Sequence, residues 1–353
     1  DLEEPTQMRL KILNLGNEKY EFIWSCHHIL ADGWSMRILI NDFWKILYAN
    51  HKNVLFNKHK VKPYADYIKW INNRDIIKST AHWKNYLEGY SDKIKLPFEV
   101  QSEHDLYFPS EEVLVIDEDL FTAVGKLCKD LDVTLNTFIQ CVWGVLLSRY
   151  NNTLDVIFGA VVSGRPEEVE GIEDMVGLFI NTIPVRVSYK NDNNVRELLR
   201  NVQDAAIRST AYHHLGLSEI QDQVGVRLDF IDHVVAFQNY PSQDEMEHVE
   251  AGLSDDFRLN LDMIQMRVFE QTNYGLIMQI TPRLDSIVVK LKYNLHKYEK
   301  DSILRLIQHF HTLVSSFVHD KNKPLENLEY LSPLEKRELI ENFNDTKVDY
   351  PSD

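Results

Sequence analysis

Long apolar runs are missing from this sequence. No stretch approaches the roughly 18 consecutive apolar residues of a membrane-crossing helix, so no transmembrane segment and no membrane partner is expected. Glycine and proline are scarce, 13 and 11 in 353 residues, which excludes collagen-like and low-complexity chains. Cysteine is scarcer: Cys26, Cys128 and Cys141 are an odd number without CxxC spacing. That excludes a disulfide framework and reads as buried thiols in a reducing compartment. Positive charge is in deficit, 38 Lys and Arg against 54 Asp and Glu, for a net charge of −16. Proteins that wrap nucleic acid draw their affinity from a cationic footprint, and no basic run here exceeds Lys58 to Lys62. Nucleic acid is therefore not an expected partner, and the surplus acidity serves solubility. The sequence opens on Asp1 without a basic-then-apolar leader, so a cytoplasmic location is expected. No period of 20–50 residues repeats. Also absent are GxGxxG after a strand, GxxxxGKS/T, GxSxG and HExxH.

What is present is an alternation of strand and helix patterns, the mark of an α/β protein. At about 150 residues per domain, the length suggests two domains or two lobes. KYEFIWSCHH (19–28) alternates in period 2, with Phe22, Trp24, Cys26 and His28 on one face and Glu21, Ile23, Ser25 and His27 on the other. A helix follows the Asp32-Gly33 turn signal, and 64–88 reads as a second helical stretch. Residues 89–111 carry Gly89, Pro97 and Pro109 without periodicity and read as a crossing between lobes. Beyond it lie a strand at 113–117, helices at 120–131 and 135–150 with Asp117 as an N-cap, and strands at 154–162 and 178–187 around an acidic loop. A helix near 195–209, strands at 233–239, 276–280 and 286–294, and a last helix over 300–318 complete the pattern. DEMEHVEAGLSDD (244–256) reads as a solvated acidic loop.

The strongest local signal is His27-His28-Ile29-Leu30-Ala31-Asp32-Gly33. Adjacent residues at a strand end point to opposite faces, so only one histidine faces a given cavity and the other packs or hydrogen-bonds inside. Asp32 is suited to bracing the loop through backbone N–H groups or an arginine rather than relaying a proton. Gly33 would permit the backbone turn into the helix. A histidine titrating near neutrality can move a proton from an attacking amine or hydroxyl, worth about a hundred- to ten-thousand-fold in rate. Two alternatives stand beside this reading. A zinc site on His27, His28 and Asp32 has no further Cys or His spaced to complete it, and a pair of core histidines needs no function at all. His213-His214 reads as structural, with pocket lining as the alternative.

HHILADGWS (27–35) is not isolated. It resembles the HHxxxDG signature of condensation domains of non-ribosomal peptide synthetases, members of the chloramphenicol acetyltransferase-like superfamily. YADYIKWINNR (64–74) and TAHWKNYL (80–87) resemble the blocks that follow it. VIFGAVVSGRP (156–166), VGLFINTIPVRV (176–187), YHHLGLSEIQ (212–221) and DHVVAFQNYP (232–241) match further blocks in order. LSPLEKRELIENFNDTKVDYP (331–351) is similar to the linker that leads into an adenylation domain.

The resemblance implies an α/β fold of two chloramphenicol acetyltransferase-like lobes in a V with mixed sheets, and an active-site tunnel between them. Residues 1–88 would be the C-terminal part of the first lobe, 89–111 the crossing, 112–330 the second lobe and 331–353 the linker. A latch after Tyr240 and a floor loop near 163–172 are also implied. The motif begins at residue 27, earlier than in the family, so the first lobe would be N-terminally incomplete and inactive without its missing part. His28 would be catalytic and His27 structural. Asp32 would pair with an arginine, Arg165 or one upstream, and Asn181 would line the channel or hold the lobes. Gln238 and Asn239 share that ambiguity.

The implied reaction is amide formation between donor and acceptor thioesters carried on the 4′-phosphopantetheine of upstream and downstream carrier domains, with no bound cofactor or metal. An adenylation domain would follow. The wording of 176–187 and 233–241 resembles the type that takes an L-configured donor. An epimerisation domain would carry an acidic EGHGRE-type block, which is absent. A heterocyclisation domain would replace the histidines with aspartates, and a plant-type acyltransferase would carry DFGWG. A non-catalytic carrier-docking module of the same fold usually loses the second histidine.

Overall fold

In the computed structural model, described for residues 3, 6–17, 19–56, 60–90, 94–100, 107–224, 231–238, 272 and 274–343, the chain divides into two compact units. The described residues of the first lie within Asp1–Ile76 and Val162–Asn181, and those of the second within Ile77–Val161, Thr182–Asn239 and Phe269–Asp353.

The first unit opens with MRLKILNLG, an alternating sequence that forms strand β1 (Met8–Gly16) and pairs antiparallel with β2 (Lys19–Cys26). The register sets Leu10 opposite Trp24 and Ile12 opposite Phe22, which collects the apolar side chains on one face. Helix α1 (Gly33–His51) brings Phe43 to that face, edge-on to Phe22 with ring centroids 5.9 Å apart. Leu10, Ile12 and Phe22 nevertheless remain more than half exposed. Helix α2 (Tyr64–Asn72) contributes Tyr67 to a small buried cluster with Val169, Ile172, Met175 and Phe179.

The second unit carries α3 (Ile76–Leu87), β3 (Pro109–Ile116), α4 (Glu118–Leu131), α5 (Leu135–Asn151), β4 (Asp155–Val162) and β5 (Asn181–Ser188). There follow α6 (Val195–Ser209), α7 (Leu217–Val224), β6 (His233–Phe237), β7 (Leu276–Pro282), β8 (Ile287–Asn294), α8 (Lys300–His319) and α9 (Pro333–Arg337). Its sheet has six strands in the order β3-β8-β7-β6-β4-β5. β3 and β7 run antiparallel to β8, whereas β6 runs parallel to β7 and β4, so the sheet is mixed. Helix α5 is apolar around most of its circumference, and Phe138 to Ser148 are all buried, as such a pattern requires. Gly144 lets the helix approach β5, since a Cβ there would press into Val187. The core extends from Ile94 to Leu328 and joins α4, α5, α6 and α8 to the sheet. Among the described residues no single helix is long and apolar enough to cross a membrane.

A polar chain ties the end of this unit to its core. Tyr150 Oη lies 2.5 Å from Nδ1 of the buried His309, whose Nε2 lies 2.7 Å from Glu335 Oε2 on α9. Ser332 caps that short helix by accepting from the Glu335 N–H.

The structure departs from the sequence expectations at several points. β1 lies where no element was assigned, and α7 is a further helix. The stretch 64–88 is two helices, broken at 73–75. β2 ends at Cys26, so neither histidine lies on a strand. Cys128 and Cys141 are buried, and burial pushes the Cys128 thiol up to about 11, but Cys26 is only partly covered. The unit boundaries also differ from the sequence boundaries. Most of α3 groups with the second unit, where His82 Nε2 meets Ser209 Oγ at 3.1 Å and Trp83 Nε1 donates to Tyr212 O at 3.3 Å. Residues 163–181 group with the first, whose Asp32, Ser35 and Tyr64 hold them. Asn239, Tyr240, the latch, the acidic loop 244–256 and residues 344–353 lie outside the described residues.

Candidate functional site

The chain leaves β2 at Cys26 and turns at once. The His27 N–H donates to Gln7 O at 2.8 Å, extending the pairing by one residue, and its carbonyl accepts from the Leu30 N–H at 3.0 Å. The His27 ring is engaged in the same turn: Nδ1 accepts from the Ile29 N–H at 3.1 Å. An accepting Nδ1 places the proton of the neutral ring on Nε2. His28 lies in this turn and is exposed. The turn, rather than strand pleat, therefore sets the directions of the two histidines.

Asp32 ends the turn. It is wholly buried, and its extended backbone with ψ 178° makes it the N-cap of α1. Its carboxylate Oδ1 accepts from the Ser35 N–H at 2.8 Å and from Arg165 Nη2 at 3.4 Å. Oδ2 accepts from the Phe179 N–H at 3.0 Å and the Ile180 N–H at 3.3 Å. A carboxylate has about four lone-pair sites, and here all four are in use. Both the backbone bracing and the arginine expected from the sequence are present, leaving no acceptor position for a histidine. Gly33 begins α1 but does not need the conformational freedom expected of it. Among the described residues the positive-φ glycines are Gly16, Gly89, Gly164 and Gly171.

Arg165 is itself nearly buried. Its guanidinium donates to Ile172 O, to Met175 O at 3.1 Å and to Ser35 Oγ at 3.0 Å. It also stacks 3.8 Å from the Phe179 ring centroid. A buried charge needs such pairing to offset its desolvation. Opposite it, the Tyr64 hydroxyl donates to Leu178 O at 2.6 Å. Burial, followed by the charge of Asp32, raises the phenol above its ordinary range, with Arg165 opposing, which keeps this donor protonated. The bonded segment 175–180 runs directly into Asn181, the first residue of β5, which is half-buried.

Sequence reasoning singled out His27, His28, Asp32, Gly33, Arg165 and Asn181. The structure joins Asp32 to Arg165 across 133 residues of sequence and sets Asn181 one residue beyond the Ile180 N–H that Asp32 accepts. It adds Ser35, Tyr64 and Gly177, which lie within the family-like blocks 27–35, 64–74 and 176–187 but carry no expected role of their own there. A Cβ at Gly177 would collide with the Tyr64 ring. Gln238 lies in the second unit. Its N–H donates to Ile280 O at 2.8 Å and its side chain accepts from Gln279 at 2.6 Å, both in the second unit. His213 and His214 also lie there, His214 Nε2 being 3.1 Å from Ser79 Oγ.

A cavity of about 420 Å³ opens beside Trp34 and Arg165, walled by the 163–173 loop, and His28 is not among its described walls. Among the described residues no group of three or more His, Cys, Asp or Glu has the arrangement of a metal site.

A family model described as Condensation domain matches residues 1–340. The chain is 34% identical over 354 residues to bacitracin synthase 1 of Bacillus licheniformis, covering 100% of this chain and 7% of that protein. It is 34% identical over 344 residues to surfactin synthase subunit 3 of Bacillus subtilis (strain 168), covering 98% and 26%. The chain thus spans about a quarter or less of the curated relatives it matches. Among solved structures, the X-domain from teicoplanin biosynthesis aligns with a TM-score of 0.77 at 17% identity, over 94% of this chain and 76% of that one. A four-domain nonribosomal peptide synthetase bound to AMP and glycine aligns at 0.74 and 20%, over 95% and 26%. The first condensation domain of the calcium-dependent antibiotic synthetase, with a substrate analogue, aligns at 0.69 and 13%, over 92% and 70%.

Proposed function

We propose that this chain, which belongs to the condensation-domain family and has its chloramphenicol acetyltransferase-like mixed α/β fold, forms an amide bond between two carrier-bound thioesters. Condensation domains are acyltransferase-type enzymes of nonribosomal peptide synthetases, and the relatives of this chain are large synthetases. The substrates are an L-configured donor aminoacyl or peptidyl thioester and an acceptor aminoacyl thioester. Each arrives on the 4′-phosphopantetheine arm of a carrier domain, and an adenylation domain is the C-terminal neighbour. The chain itself binds no cofactor and works in the cytoplasm.

In the step itself, the acceptor amine attacks the donor thioester carbonyl carbon. A C–N bond forms, the C–S bond breaks, the nitrogen gives up a proton and the departing thiolate takes one up. Because the thioester is already activated, the protein's task is orientation and proton handling. His28 deprotonates or positions the amine, and His27 shapes the turn that carries it. Asp32 and Arg165 anchor that turn, while Asn181 is a supporting residue of the channel.

One observation carries this reading: the Asp32 carboxylate, with every acceptor site occupied, anchors the turn on which His28 is exposed. Both histidines of the turn are exposed, but the His27 ring is engaged within it by the Ile29 N–H, which favours His28 as the reacting group and argues against a His–Asp relay. The test is single-turnover condensation in the parent synthetase with both carriers preloaded. His28→Ala is expected to lower product formation about a hundred- to ten-thousand-fold while both carriers still bind. Unchanged product formation overturns the assignment. Racemised donor without chain transfer would point to epimerisation, and carrier binding without turnover in the unaltered protein to a docking module.

A further inference from the structure

We infer that Ser35 is a positioning residue for the condensation reaction, the joint through which the His28 turn is fixed to the 175–180 segment. The inference rests on the reading of His28 given above.

The hydroxyl of Ser35 is buried and its hydrogen-bond valence is fully used. It lies 3.0 Å from Arg165 Nη2 and 3.1 Å from the Gly177 N–H, both of which can only donate. Its own proton must therefore go to the third partner, Gly177 O, at 2.8 Å. That carbonyl also accepts from the Asp32 N–H at 3.2 Å. Ser35 and Gly177 thus form a closed reciprocal pair, with the residue that ends the His28 turn bonded to the same oxygen.

The distances rank the grips. Arg165 holds this end of α1 at 3.0 Å through Ser35 but only at 3.4 Å through Asp32, so the serine is the arginine's closer contact with the motif. Tyr64 secures the same segment from its other side at Leu178 O, and the absence of a side chain at Gly177 leaves room for the tyrosine ring. Removing the Ser35 hydroxyl leaves the Gly177 N–H without this acceptor and loosens Arg165. The turn stays attached through His27 to Gln7, just before β1, but shifts at its Asp32 end. An error near 1 Å at a reacting group lowers a rate about a hundredfold.

The test is a double-mutant cycle of Ser35→Ala with His28→Ala in the full-length synthetase, read by single-turnover condensation on preloaded carriers. Ser35→Ala is expected to lower the rate about tenfold to a hundredfold, with the KM for the acceptor carrier within about twofold. In the His28→Ala background the same change is expected to alter the residual rate by less than about twofold, because the group being positioned is gone. Equal losses in both backgrounds, or a Ser35→Ala rate within about twofold of the unaltered protein, overturn the inference. If Ser35→Ala does not fold, Ser35→Cys, which keeps a similar shape but replaces the hydroxyl with a weak donor and acceptor, is judged by the same criteria. Full activity of His28→Ala alone overturns the His28 reading. Inactive His28→Ala together with fully active Ser35→Ala overturns only the role of Ser35.

Discussion

Around Trp143, Phe138 and Phe310 the second unit closes an apolar core with no more than traces of solvent exposure. Around Asp32 the first unit closes instead with hydrogen bonds, most of them to backbone N–H and C=O groups. Apolar packing is non-directional and tolerates repacking when volume is kept. A saturated polar network is directional, and loss of one partner leaves another buried and unsatisfied. The first unit thus keeps its motif in one geometry with a small cluster of buried side chains, whereas the second supplies bulk stability.

Substitutions at the two centres separate these modes. Arg165→Gln leaves the Asp32 carboxylate buried without its cation, and a loss of about 3–5 kcal/mol is expected. It should be confined to the first unit, seen as hydrogen-exchange protection lost at residues 32–36 and 175–180 and retained in α5. Trp143→Ala is expected to lose a similar 3–5 kcal/mol but in the reverse place, read as a lower urea midpoint for the second unit. Matching exchange patterns in both variants would dissolve the contrast.

Acid should act next, and on the second unit. Burial, with His82 and His214 adding, pushes His213 down to about 4 from the ordinary 6.5, and burial followed by Arg208 lowers His82 as well. Above about pH 6.5 folded and unfolded His213 are both neutral, so its contribution is constant. As pH falls from 6.5 towards 4 the unfolded chain binds the proton first, and stability declines by up to about 3 kcal/mol. Urea midpoints over that range measure the slope, which His213→Asn should flatten. The smallest effect expected is from Gly177→Ala. Contact with the Tyr64 ring should cost about 1–3 kcal/mol, and Tyr64→Leu should relieve part of it in a double-mutant cycle of thermal unfolding.

What the sequence disclosed follows the same division. Helices α4 and α5 lie within a residue or two of their expected bounds, because core helices write their burial as periodicity, and α4 announces its cap at Asp117. β1 was missed although Met8, Leu10 and Ile12 alternate with Arg9 and Lys11. The signal was present but short and interrupted by Asn14. The placement of His28 on a strand face failed because the pairing stops at the His27 N–H and the His27 carbonyl closes a turn with the Leu30 N–H, which residue type alone does not announce. In the site, Asp32 and Arg165 were legible through family resemblance. Ser35, Gly177 and the Phe179 and Ile180 N–H groups were not, since every residue but proline carries that donor and only folding decides which of them meet Asp32.

The chain from Tyr150 through His309 to Glu335 has a mechanical consequence. Tension applied to the polypeptide beyond Arg337 reaches α9, and from Glu335 it passes sideways through the imidazole into α8 and on to α5. The load is thereby shared with two long helices of the core instead of peeling the last segment away one residue at a time.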